Sequence, residues 1–91
     1  ITGSVIYSNT ATSGSGGGFY NNLEAQTDIA NSTISFNSAG SAGGGLENLG
    51  FINMMNLTIN GNDSPFGGGL FNSGQITVGN TIIANSPNGS D

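Results

Sequence analysis

Three glycine triplets, Gly16-Gly17-Gly18, Gly43-Gly44-Gly45 and Gly67-Gly68-Gly69, punctuate this chain at intervals of 27 and 24 residues. Each is followed by a large apolar residue (Phe19, Leu46, Leu70), one variable residue (Tyr20, Glu47, Phe71) and an asparagine (Asn21, Asn48, Asn72). A second block precedes each triplet and closes the chain: Ser4 to Asn9, Ser32 to Asn37, Leu57 to Asn62 and Asn80 to Asn85. Aligned on the last asparagine of each, the spacings are 28, 25 and 23, with a central isoleucine at Ile6, Ile34, Ile59 and Ile82. Self-similarity at such a period marks a repeat architecture, in which each unit buries its apolar face only by stacking on the next.

Local chemistry makes the repeat β. Glycine triplets cost a helix about 1 kcal/mol per glycine, and no stretch places apolar residues at i, i+3, i+4, i+7. β-Branched residues at the centre of each block favour extended backbone. A third extended segment lies between triplet and block, at Gln26 to Ala30, Ile52 to Met55 and Ile76 to Val78. Three short strands per 23 to 28 residues predict one coil of a parallel β-solenoid. A hairpin meander is disfavoured because Asn60-Gly61, the best two-residue turn, falls inside a block. The expected fold is all-β: a right-handed parallel β-helix of about three and a half coils, with repeat blocks near 1-28, 29-53, 54-76 and 77-91.

Strand alternation then assigns faces. Ile6, Ile34, Ile59 and Ile82 are expected to point inward as a ladder, with Phe36 and Leu57 two residues away. Phe19, Leu46 and Leu70 also point inward, as do Asn21, Asn48 and Asn72. A buried asparagine is costly unless paired, which a column of stacked amides achieves. Val5, Thr33, Thr58 and Thr81 are expected outside, and the glycines at corners needing positive φ or no β-carbon.

Composition excludes most chemistry. The 91 residues contain no Lys, Arg, His, Cys or Trp and carry a net charge of −5. There is no imidazole base, thiolate, Schiff-base lysine, Cys/His metal site or disulfide. An acidic chain without a cation has nothing to neutralise phosphates, so nucleic-acid binding is excluded and insertion of this segment into a membrane is not expected. Without an initiator Met or an apolar leader, the chain reads as a piece of a longer array.

The phrases NSTISFNSAGSAGGGLEN (31–48) and NLTINGNDSPFGGGLFNSG (56–74) resemble the right-handed parallel β-helix repeats of bacterial secreted and cell-surface proteins. The likeness is to the polymorphic outer-membrane protein and autotransporter-passenger type, and more broadly to the pectate-lyase-like superfamily. It covers nearly the whole chain. It implies an extracellular or outer-surface location and an adhesive or structural role. The superfamily's lyases use Arg or Lys on one coil face, and this chain has no cation to match, so no catalytic residue carries over.

Five acids, Glu24, Asp28, Glu47, Asp63 and Asp91, share no column in this alignment, so they read as solvated charges. Calcium held between Glu24 and Glu47 is the weaker alternative, since Ca²⁺ needs several converging oxygens. No metal or other cofactor is expected. Thr33, Thr58 and Thr81, with Tyr20 and Phe71, are the candidate ligand face. Carbohydrate or a host or cell-surface protein is the expected partner, with end-to-end self-association through open strand edges. Polysaccharide binding or degradation with catalytic residues elsewhere is the runner-up, and an ice-binding threonine face a distant third. Asn31, Asn56, Asn62 and Asn88 match the N-glycosylation pattern, which a chain this rich in Asn and Ser produces by chance.

Overall fold

The computed structural model describes residues 1–87 and contains no helix among them. The first coil runs through β1 (Val5–Tyr7), β2 (Thr10–Ala11), β3 (Phe19–Asn21) and β4 (Gln26–Ala30). The second follows with β5 (Thr33–Ser35), β6 (Ser38–Ala39), β7 (Leu46–Asn48) and β8 (Phe51–Met55). The third holds β9 (Thr58–Asn60), β10 (Leu70–Asn72) and β11 (Gln75–Gly79), and β12 (Ile82–Ala84) opens the next turn. Every pairing is parallel and joins equivalent strands of adjacent coils, in sheets ordered β1-β5-β9-β12, β10-β7-β3, β11-β8-β4 and β2-β6. The fold is a parallel β-solenoid of about three turns with three to four strands per coil. The short β2/β6 pair, continued by a bridge from Ser38 to Asp63, is the strand that periodicity alone does not reveal.

Left-handed residues turn the corners in register. One column comprises Gly3, Asn31, Asn56 and Asn80 (φ +57°, +51°, +56° and +47°), and a second comprises Ser8, Phe36, Gly61 and Asn85 (φ +56°, +54°, +68° and +57°). The first glycine of each triplet, Gly16, Gly43 or Gly67, makes the third, with φ between +58° and +64°. Glycine and asparagine dominate these columns because they reach positive φ at least cost. The remaining triplet glycines answer to space: a β-carbon on Gly45 would stand 2.5 Å from the Gly69 carbonyl oxygen and 2.9 Å from Asn62 Nδ2. Successive triplets are joined by backbone bonds such as Gly17 N–H to Gly43 O (3.0 Å) and Gly45 N–H to Gly68 O (2.9 Å).

The core is a stack of columns. Ile34, Ile59 and Leu46 are fully buried, and Ile29, Ile52, Met54 and Leu57 nearly so. Ile6, Phe19, Leu70, Ile76 and Ile83 pack against them only partly buried, having a stacked coil on one side.

Two expectations are corrected. Ile83, not Ile82, completes the inward column Ile6–Ile34–Ile59, because Ile82 pairs with Thr58 and Ile83 with Ile59. The last spacing is therefore 24, Ile82 is 63% exposed, and Thr81 leaves the outward threonine column. The register follows the left-handed corners: Thr81 succeeds Asn80 as Ser32 succeeds Asn31, and both hydroxyls donate two residues back, to the carbonyls of Gly79 (3.0 Å) and Ala30 (2.8 Å). Phe36 is also outside, 56% exposed, because its left-handed backbone breaks the alternation that would have turned it inward.

Candidate functional site

Two asparagine ladders hold the coils in place. Asn21 Nδ2 donates to Asn48 Oδ1 and Asn48 Nδ2 to Asn72 Oδ1, both at 2.9 Å. Asn48, fully buried, also donates to the carbonyls of Gly50 and Gln75 and accepts from Gly50 N–H. A second ladder runs through Asn9, Asn37 and Asn62. The Asn37 oxygen accepts from Asn9 N–H (2.8 Å), the Asn62 oxygen accepts from Asn37 N–H (2.9 Å), and the amide nitrogens donate to the carbonyls of Ile6 and Ile34. The oxygen and the nitrogen of each buried amide of Asn21, Asn37, Asn48 and Asn62 have at least one partner, which is the condition for burying it at all. The recurring asparagine that ends each block was the signal for this second ladder. Burial of Asn62 also removes it as a glycan acceptor, and Asn88 lies outside the described residues.

With the interior committed to structure, any chemistry lies on the outer faces. On β1-β5-β9-β12 the outward column reads Val5, Thr33, Thr58, Ile82. Thr33 and Thr58 are thus adjacent, but the threonine column is two residues long, flanked by aliphatic side chains. Thr81 sits one step away with its hydroxyl turned to Gly79. Tyr20 and Phe71 lie on a different sheet, β3-β7-β10, one on either side of Glu47. The expected ligand residues therefore occupy two surfaces.

A third surface was missed. On the outer face of β4-β8-β11, Gln26, Thr27, Asp28, Phe51 and Asn53 line a cavity of about 370 Å³. Asn53 Nδ2 donates to Asp28 Oδ1 at 2.8 Å, and Phe51 is 43% exposed. Alternation was the available signal: with Ile29, Ile52 and Met54 buried, Gln26, Asp28, Phe51 and Asn53 must face out. A second cavity, of about 340 Å³, is bounded by Ala39, Gly40, Asp63, Ser64 and Pro65.

Among the described residues no three acidic side chains converge as a metal site would require. Glu24 lies in the Asn22 to Ala25 loop, Asp28 on β4 and Glu47 on β7, while Asp91 is outside the described residues. No protein-family model, curated protein or solved structure matches this chain.

Proposed function

We propose that this chain is a non-catalytic structural and adhesive segment of a secreted or surface-exposed bacterial protein, right-handed like the β-helix repeats that its sequence resembles. The observation that supports this most is the pair of asparagine ladders. They clamp each coil to the next at ~4.8 Å and leave outward side chains in straight columns, an arrangement suited to rigid display. The outward residues include Thr, Asn, Gln and aromatic groups, able to donate, accept and stack, among aliphatic ones such as Val5 and Ile82, whereas acid–base chemistry lacks a histidine, lysine or cysteine to work with. A second reading, polysaccharide binding, draws on the β4-β8 cavity. An exposed phenylalanine beside a carboxylate and two amides offers one stacking surface and several hydroxyl partners.

The test is adhesion. Beads carrying the chain are exposed to immobilised cell-surface protein and to insoluble polysaccharide, with the length of the polysaccharide followed in parallel. Adhesion with the polysaccharide unchanged in length supports the proposal. Shortening of the polysaccharide overturns the non-catalytic reading, and adhesion to neither surface overturns the adhesive one. Loss of polysaccharide retention in Phe51→Ala assigns the contact to the cavity.

A further inference from the structure

The outer face of β4-β8-β11 carries two columns of side chains across the coils. One reads Gln26, Phe51, Gln75 and the other Asp28, Asn53, Thr77, and all six residues are exposed. Among these six, Phe51 is the only ring and Asp28 the only charge. Both line the cavity of about 370 Å³ on this face, together with Gln26, Thr27 and Asn53. That volume falls at the lower end of the roughly 300–1,000 Å³ of small-molecule sites, which suits a short stretch of a sugar chain. The far end of the face is covered: a β-carbon on Gly79 would stand 2.9 Å from Met55 Sδ, so the Met55 side chain lies over Gly79.

The Asp28 carboxylate is held in place and still available. Asn53 Nδ2 donates to its Oδ1 at 2.8 Å, which engages one of the two oxygens and fixes the carboxylate at the cavity wall. The N-terminal ammonium of Ile1 donates to the main-chain carbonyl of Asp28, also at 2.8 Å. That bond runs at the edge of β4 in the plane of the sheet, whereas the Asp28 side chain stands off the outer face.

The chemistry of an occupant follows from what this face has and lacks. An exposed phenyl ring offers a surface to the apolar face of a pyranose, while the amides and Thr77 can pair with its hydroxyls. The sequence contains no Lys or Arg to meet a uronate or a sulfate, and a net charge of −5 repels both. A carboxylate beside the ring favours an ammonium instead, because a charge-assisted hydrogen bond is roughly twice as strong as a neutral one.

We infer that this face binds a saccharide bearing free amines, with a sugar ring on Phe51 and its ammonium on the Asp28 carboxylate. The inference rests on the reading of the cavity as a polysaccharide site, and it names the class of polysaccharide.

The probes are a glucosamine trimer, its N-acetylated counterpart and a galacturonic acid trimer, with N-acetyl-lysine methylamide as an amine without a sugar ring. Each is titrated into the whole chain at constant ionic strength, in mildly acidic buffer where the amines are protonated. The readout is the NMR shifts of the Phe51 ring and the Asn53 side-chain amide. The expected result is saturation by the glucosamine trimer, several-fold weaker binding of the N-acetylated trimer, and no saturation by the other two. In Asp28→Asn the glucosamine trimer should fall to the level of the N-acetylated one. Glu24→Gln, which removes the same charge from an exposed loop, should keep the preference. Equal binding of the two glucosamine-based trimers, or a preference that survives Asp28→Asn, overturns the selection of amines and leaves the polysaccharide reading standing. Tighter binding of the galacturonic acid trimer does the same. Saturation by the lysine derivative as tight as by the glucosamine trimer overturns the role of the sugar ring, and saturation by no probe removes the inference and the polysaccharide reading together.

Discussion

The ring of Phe36 lies against Gly61 of the next coil, so close that a β-carbon on Gly61 would stand 2.8 Å from Phe36 Cε1. Both residues belong to one left-handed corner column, at φ +54° and +68°. A phenylalanine with positive φ is uncommon, because its β-carbon crowds the following carbonyl. Here the next coil offers a residue with no side chain, and the ring occupies the space. Its other neighbour is Tyr7, whose ring meets it edge to face at 5.6 Å and 75°. An unfavourable backbone conformation is thereby offset by aromatic packing and by the absence of a β-carbon one coil away.

Gly61→Ala is expected to destabilise the fold by about 1–2 kcal/mol, from the left-handed backbone and from displacement of the Phe36 ring. Phe36→Asn trades aromatic contact for a residue suited to positive φ and should shift stability by under about 1 kcal/mol. If the two effects are coupled through the ring, the double variant loses less than the sum of the singles. Urea midpoints of the four chains measure this; strict additivity would show that the ring contact carries no energy.

Asn48 is the middle rung of its ladder, joined to Asn21, Asn72, Gly50 and Gln75. Asn48→Ala leaves several buried donors and acceptors without partners, at about 1–3 kcal/mol each, so a loss of at least about 3 kcal/mol is expected. Asn72→Ala, at an exposed rung, should cost about 1 kcal/mol. Thermal melts of the two variants, ranked against the parent chain, check the order.

The loop from Asn22 to Ala25 is two residues longer than its counterparts Leu49-Gly50 and Ser73-Gly74, as the register of β3 with β7 and of β4 with β8 requires. Ala25 holds the place of Gly50 and Gly74, since each carbonyl accepts from the asparagine at the end of the preceding strand. Leu23 is 71% exposed, and Glu24 sits at φ +63°. Deleting Leu23 and Glu24 together with Ala25→Gly should therefore leave the fold intact, within about 1 kcal/mol of the parent, because small changes in surface-loop length alter closure entropy little. Chemical denaturation is the measurement, and failure to fold would mean that the longer loop supports the first coil.

Much of this structure was legible because its repeats obey strict register. The glycine triplets place Phe19, Leu46 and Leu70 in one column and Asn21, Asn48 and Asn72 in another, and both columns exist. Asparagine misled at the fourth block, since it serves two roles here: buried rung at Asn37 and Asn62, left-handed corner at Asn31, Asn56 and Asn85. Aligning Asn85 with Asn62 treated a corner as a rung. A better guide was the corner residue followed by a hydroxyl, Gly3-Ser4, Asn31-Ser32 and Asn80-Thr81. The burial of Glu47, 7% exposed, was also out of reach, because alternation turns it outward and its neighbours in register, Tyr20 and Phe71, belong to two other coils.

That correction gives the sharpest test of register. Were Ile82 the inward residue, Ile82→Thr would remove buried methyl groups and bury a hydroxyl, while Ile83→Thr would be silent. The structure reverses the order: Ile82 is exposed opposite Thr58, and Ile83 packs on the core below Ile59. Ile82→Thr should change stability by no more than about 0.5 kcal/mol, the usual range for a surface position, and lengthens the outward threonine column to three. Ile83→Thr, only partly buried in the last described coil, should cost about 1–2 kcal/mol through lost apolar burial. Urea denaturation of the pair decides the matter, because the two variants make the same chemical change at adjacent positions and only the direction of each side chain differs.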